Sequence, residues 1–123
     1  NGLNALIKLL NDNPNITIEL SAHTDMVGSN EANEQLSLRR AQSVVDYLIK
    51  HGIDSKRLTP VGYGEEKPVV VDEILHKQYP YLPVGQALNE TFILTLSTEQ
   101  QETCNSLNRR TEFRVLKTTY NLY

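Results

Sequence analysis

Residues 16–41 read ITIELSAHTDMVGSNEANEQLSLRRA, and the fold turns on how they are divided. Ile16-Thr17-Ile18-Glu19-Leu20 alternates apolar and polar positions and is rich in β-branched residues, the pattern of a half-buried strand. A polar stretch from Ala22 to Asn30 reads as a loop at the strand's carboxyl end, with Gly28 as its flexible point. From Glu31 to His51 the spacing becomes helical. Ser29 or Asn30 is placed to cap the amino end by accepting a bond from a free backbone N–H. Leu38, Ala41, Val44, Val45 and Leu48 form the expected buried stripe, and Gly52 supplies the left-handed residue that ends such helices.

Outward from this unit the pattern continues on both sides. Leu3, Leu6, Ile7 and Leu10 recur at helical spacing, so the first ten residues form an amphipathic helix that Asn13-Pro14 stops. Beyond the long helix, Asp54-Ser55-Lys56-Arg57 leads into a short strand, Leu58 to Val61, followed by a turn at Gly62-Tyr63-Gly64 and a stop at Pro68. Residues 69–107 differ in character. Tyr79, Pro80, Tyr81 and Pro83 break regular structure, Asn89 caps a short helix through Leu96, and Ser97-Thr98-Glu99-Gln100 matches a capping box. The last strand runs from Thr111 to Thr118. The sum is helix, strand, helix, strand, helical insert, strand: an α/β or α+β chain with helices laid on a sheet.

With 123 residues, 39% hydrophobic and 22% charged, the chain fits one compact domain. No run approaches the roughly 20 apolar residues that span a bilayer, so no transmembrane segment is expected. No basic-then-apolar leader opens the chain, which places any secretion signal upstream or among removed residues. A net charge of −3 argues against a nucleic-acid partner, which needs a clustered basic footprint. The single cysteine, Cys104, reads as a small buried side chain and leaves the redox compartment open.

The chemistry-bearing residues gather after the first strand. Asn33, Leu36 and Arg40 follow one flank of the long helix, because i, i+3 and i+7 repeat at nearly whole turns. A loop carboxylate, Asp25, and a helix guanidinium, Arg40, make a paired site for a zwitterion, Asp25 holding an ammonium and Arg40 forking onto a carboxylate. The competing reading is that Asp25 and Arg40 bridge each other or cap the loop. His23 with Asp25 and Ser21 or Ser37 can be drawn as a triad, but no serine sits on a glycine elbow, and a histidine tying the loop down by hydrogen bonds is the plainer reading. No catalytic residue and no metal site is assigned, since His23, His51 and His76 lack paired spacing. Gly62-Tyr63-Gly64 lacks the ending of a phosphate loop, and no cofactor is expected. Asn108-Arg109-Arg110, at a strand entry, adds positive charge that can rim an anionic ligand's site.

The ordered string His23-Thr24-Asp25, Gly28, Asn33, Leu36-Ser37, Arg40-Ala41, Gly52-Ile53, Arg57-Leu58, Gly62-Tyr63-Gly64, Pro68 and Asn108-Arg109-Arg110-Thr111-Glu112 resembles the OmpA-like C-terminal domain family. That is the family of the peptidoglycan-associated lipoprotein and MotB C-terminal domains. The resemblance runs from Leu3 to about Lys117 apart from the insert. It implies a βαβαβ-type α/β (α+β) sandwich with helices packed on a mixed sheet, a first strand lying upstream of this chain, and a helical insert before the last strand. The domain is expected to span residues 1–123, with core segments 1–68 and 108–118 and an insert of about 69–107.

The resemblance also implies non-covalent binding of bacterial peptidoglycan through the diaminopimelate of the stem peptide. Asp25 and Arg40 would grip its free amino-acid end, Asn33 and Leu36 would complete the site, and His23, Thr24, Gly28, Asn108 and Arg109 would stand behind it or on its rim. The upstream strand and its loop, which in relatives carry aromatic and acidic residues, would wall one side of the ligand. The implied role is to anchor a larger periplasmic, outer-membrane-associated or envelope-anchored protein, with other envelope proteins met through upstream domains or the insert. The alternative is a protein-interaction domain of an envelope secretion or motility assembly, with wall binding secondary. An enzyme is not expected.

Overall fold

The computed structural model describes residues 2–120, so Asn1 of the expected first helix and residues 121–123 of the expected domain lie outside it. Helix α1 (Gly2–Asp12) leads into strand β1 (Thr17–His23), helix α2 (Asn30–Lys50), a single 3-10 turn at Ser55–Arg57 and strand β2 (Leu58–Gly64). Three shorter helices follow, α3 (Glu73–Gln78), α4 (Glu90–Ile93) and α5 (Thr98–Asn108), before strand β3 (Arg110–Lys117). The sheet has the order β2-β1-β3, with β1 parallel to β2 and antiparallel to β3. Helices packed on a mixed sheet are what the sequence implied.

Alternation along β1 divides the sheet into two faces. Ile18 and Leu20 join Leu6 and Leu10 of α1, Val45 and Leu48 of α2, and Ile16, Ile53 and Leu58 in the main apolar cluster. Each such side chain contributes roughly 1.5–3 kcal/mol on burial. Glu19, Ser21 and His23 point the other way and are nonetheless buried. β1 is thus two residues longer than the expected loop boundary allowed: Ala22 and His23 belong to the strand.

The contact between α2 and β2 corrects two further expectations. Gly62-Tyr63-Gly64 is not a turn but the end of β2, and Gly62 and Gly64 lie under the helix. A Cβ on Gly62 would sit 2.3 Å from the backbone N of Leu38, and one on Gly64 3.1 Å from that of Glu34. The helix backbone therefore rests directly on the strand. Small residues face the contact, with Ser37 and Ala41 both 0% exposed, whereas Leu38, expected in the buried stripe, is 47% exposed. Ser37 Oγ donates to the Glu34 carbonyl at 2.9 Å and accepts from Gly64 N–H at 2.9 Å, which satisfies both groups in the dry contact.

Arg57 is buried, and its guanidinium donates to the carbonyls of Leu10 (2.9 Å), Asn13 (2.8 Å) and Ile16 (3.0 Å). A cation here satisfies orphan carbonyls at the end of α1 and complements the helix dipole.

The segment after Pro68 builds a second apolar cluster from Val71, Leu82, Leu88, Ile93 and Cys104, against which Tyr79, Tyr81 and Phe92 pack. Its helices depart in detail from the sequence reading. α3 was not foreseen, α4 ends at Ile93 instead of Leu96, and α5 begins after Ser97, where the capping box is formed with Gln100. Asn108 is the last residue of α5 rather than a strand entry. Its Oδ1 accepts from Val69 N–H at 2.9 Å, and its Nδ2 donates to the Leu88 carbonyl at 3.0 Å. One amide thus holds the segment's two ends together. β3 starts at Arg110 and ends at Lys117, one residue before the expected limits at each end.

Candidate functional site

The carboxyl ends of the parallel strands β1 and β2 and the amino ends of α2 and β3 meet at one edge of the sheet. Thr24 N–H donates to the Gly64 carbonyl at 2.9 Å, which fixes the chain as it leaves β1. The Thr24 hydroxyl donates to the Asp25 carbonyl at 3.0 Å. Asp25 Oδ1 accepts from Val27 N–H at 3.0 Å, the short-range bond that aspartate uses to shape turns. Gly28 takes φ +95°, a backbone conformation that a side chain disfavours. Ser29 caps α2 through Ala32 N–H. Asn33 is buried, and its Nδ2 donates to the carbonyls of Asp25 (3.3 Å) and Val27 (3.2 Å). The loop is laced to the helix.

Asp25 and Arg40 do not pair with each other. Asp25 Oδ2 is 2.5 Å from Arg109 Nη1, and Arg109 Nη2 is 2.7 Å from Glu102 Oε1. Glu102 first and Asp25 second push the Arg109 pKa up. Arg40 is exposed, and its guanidinium has no hydrogen-bond or ion-pair partner among the described residues. It lies seven positions beyond Asn33, about 10 Å along the same flank of α2, with half-buried Leu36 between them. The structure therefore brings Asp25, Asn33, Thr24, Gly28 and Arg109 together, and leaves Arg40 as a free cation further down the helix. Asn108 is occupied in holding the segment after Pro68.

His23 departs from the sequence reading. It is 3% exposed, and neither ring nitrogen has a hydrogen-bond partner among the described residues, so it does not tie the loop down. It is stacked on Tyr63 with ring centroids 5.3 Å apart. Ser37 Oγ is engaged by α2 and β2 and Ser21 Oγ donates to the Glu112 carbonyl at 3.5 Å, so no serine–histidine pair is formed among the described residues. No group of three or more His, Cys, Asp or Glu side chains among the described residues is placed to hold a metal ion.

Sequence reasoning missed the acidic wall of this edge. Met26, Gly28, Ser29, Glu34, Glu65 and Glu90 line a cleft of about 570 Å³ beside the Asp25 loop. Burial, and then the neighbouring Glu90 carboxylate, push the Glu65 pKa up, while Asn33 partly opposes the shift. The neighbouring Glu66 carboxylate, which can accept a hydrogen bond from the protonated Glu34 carboxyl and repels its charged form, raises the Glu34 pKa. The signal for these residues was present. Glu65-Glu66 directly follows β2, and ligand sites of parallel strands gather at strand carboxyl ends. Reading residues 62–64 as a turn concealed it.

Comparison with known proteins decides the family. The OmpA family profile matches residues 1–79, more than half of the chain. The chain belongs to the OmpA family. Among curated relatives, the peptidoglycan-associated lipoprotein of Rhizobium meliloti (strain 1021) is 41% identical over 58 residues, 47% of this chain and 33% of that protein. The aligned regions cover only 17% to 33% of the first curated relatives' lengths. Two solved structures share the fold. The peptidoglycan-associated lipoprotein of Burkholderia pseudomallei superposes with TM-score 0.63 at 22% identity, covering 93% of this chain and 74% of that one. The cell wall anchor of the type VI secretion system (T6SS) of Pseudomonas aeruginosa superposes with TM-score 0.58 at 22% identity, covering 94% and 64% respectively.

Proposed function

We propose that this OmpA family domain is the wall-anchoring module of a larger envelope protein, and that it binds peptidoglycan through the free amino-acid end of diaminopimelate in the stem peptide. The names of two relatives, peptidoglycan-associated lipoprotein and cell wall anchor, point to the wall, and so to the periplasm. The observation that carries the finer reading is Arg40, a guanidinium with no partner among the described residues, on the flank of the helix whose amino end holds the Asp25 loop and the acidic cleft. A zwitterion presents the complement of this arrangement. Its ammonium goes to Asp25 and the carboxylates beside it, its carboxylate to the fork of Arg40, and Leu36 lies against the aliphatic stem.

Each charge-assisted bond contributes about 1.5–3 kcal/mol, so a single site binds moderately and many sites on a polymeric wall do the holding. Sedimentation with purified sacculi tests the proposal. Asp25→Ala and Arg40→Ala should each lower the bound fraction to that of roughly a tenfold weaker site, and free diaminopimelate should compete. Unchanged sedimentation of both variants would sink it. A second reading rests on Val70, Ile74, Val84 and Leu94, apolar and 56–70% exposed on the insert, which suit docking to an envelope partner with wall binding secondary.

A further inference from the structure

On the sheet face away from α1 and α2, Glu19, His23, Tyr63, Lys67, Arg110 and Glu112 are among the residues that line a cleft of about 140 Å³. Most of its charge is internally matched. Glu19 accepts from Arg114 at 3.0 and 3.2 Å and from the Tyr63 hydroxyl at 3.2 and 3.4 Å. Arg110 pairs with Glu112 and donates to the Lys67 carbonyl at 3.0 Å. Two groups are left over. The Lys67 ammonium makes no ion pair among the described residues and sits 4.1 Å from the centre of the Tyr63 ring. His23, 3% exposed, lines the same cleft with both ring nitrogens unpartnered. A buried polar group without a partner is rare enough to require an explanation.

We infer that this cleft is a second ligand site, separate from the Asp25 edge, which takes a small oxyanion between the His23 ring N–H and the Lys67 ammonium. With the two acid–base pairs cancelling, Lys67 leaves the cleft one positive charge in excess, which suits a monoanion and opposes a metal ion. The cleft has room for a carboxylate or phosphate group. Among the described residues Glu112 is the carboxylate nearest the ring, its Oε2 4.0 Å from His23 Nε2, and it is half exposed and paired with Arg110. The remaining charged groups around the imidazole are Glu19 on β1, Lys67 after β2, and Arg110 and Arg114 on β3.

The test is NMR of the His23 ring nitrogens in the full chain during titration with acetate and, separately, with inorganic phosphate, each against sodium chloride at equal ionic strength. Saturable movement of the ring signals, together with an upward shift of their titration midpoint, is expected for at least one of the two. Saturation by acetate alone identifies a carboxylate ligand, and saturation by phosphate alone a phosphate ester. Lys67 is exposed, so Lys67→Met should fold, and it should weaken the response about tenfold. Glu112→Gln, which removes the facing negative charge, should strengthen it, and Arg109→Ala, outside the cleft, should leave it unchanged. Signals that drift as in chloride, or a Lys67→Met response equal to that of the parent chain, would overturn the inference.

Discussion

His23 is held neutral by its surroundings: burial pushes its pKa below the ordinary histidine value, Arg110 adds to the shift, and Glu112 opposes it. The consequence for stability has a definite sign. Above the unfolded-state value of about 6.5 neither state carries the proton, and the group contributes nothing to the pH slope. As the pH falls below that value the unfolded chain takes up the proton first, so stability falls until the lowered folded-state pKa is passed. Glu19 acts in the same direction at lower pH. Its hydrogen bond to Arg114 outweighs burial and depresses its pKa, so the stability it contributes is lost on acidification from about 4.5 downwards. Urea denaturation at pH 7, 6, 5, 4 and 3 separates the two groups. His23→Gln is expected to flatten the loss between pH 7 and 5 and to leave the loss below pH 4.5 in place. An unchanged slope above pH 5 would assign that window to other groups.

At the scale of elements, α2 and β2 are joined by the absence of side chains. The three atoms nearest to a Cβ placed on Gly62 are 2.3 to 2.7 Å away, and two of them are backbone, which cannot rotate aside. Gly62→Ala must therefore lift the helix from the strand. A loss of about 3 kcal/mol is expected, at the upper end of overpacking costs, with the largest chemical-shift changes near Leu38 and Ser37. A loss below about 1 kcal/mol would mean that the helix yields easily. Because α2 also carries Asn33 and Arg40, a displaced helix should weaken sacculus binding in proportion to its movement.

For the whole molecule, the parts legible in the sequence were those fixed by local rules. Alternation at Ile16–Leu20, the helical spacing of Leu3, Leu6 and Leu10, the Ser97 capping box and the stop at Gly52 all express short-range chemistry, and each was found where expected. The misreadings share another cause. Gly62 and Gly64 resemble turn residues unless one knows that a helix backbone lies on them, and Leu38 looks like a core residue until Ser37 is seen buried in its place. The burial of Arg57 has no local signal either, because its three carbonyl partners come from residues 10, 13 and 16. At the site, the Asp25 loop was readable from its position after a strand. Its attachment to Arg109, 84 positions away, was not.

The Asn108 clamp also governs the order in which the molecule can assemble. Strand β1 meets β2 across a helical crossover, as where Ile18 lies beside Leu58, but it meets β3 only through contacts such as Ser21 with Glu112, 91 positions apart. Closing so long a chain segment carries an entropic cost that must be met before the contact is made. By joining position 108 to position 69, the clamp removes 39 positions from the effective length of that search and brings β3 towards the free edge of β1. Asn108→Ala should accordingly slow refolding about fivefold and change the unfolding rate little, as stopped-flow measurement would show. A variant that mainly unfolds faster would place closure of the clamp after the rate-limiting step. On a ribosome, the free edge of β1 waits for its last partner until residues 69–107 have been made, and closing the clamp shortens that wait.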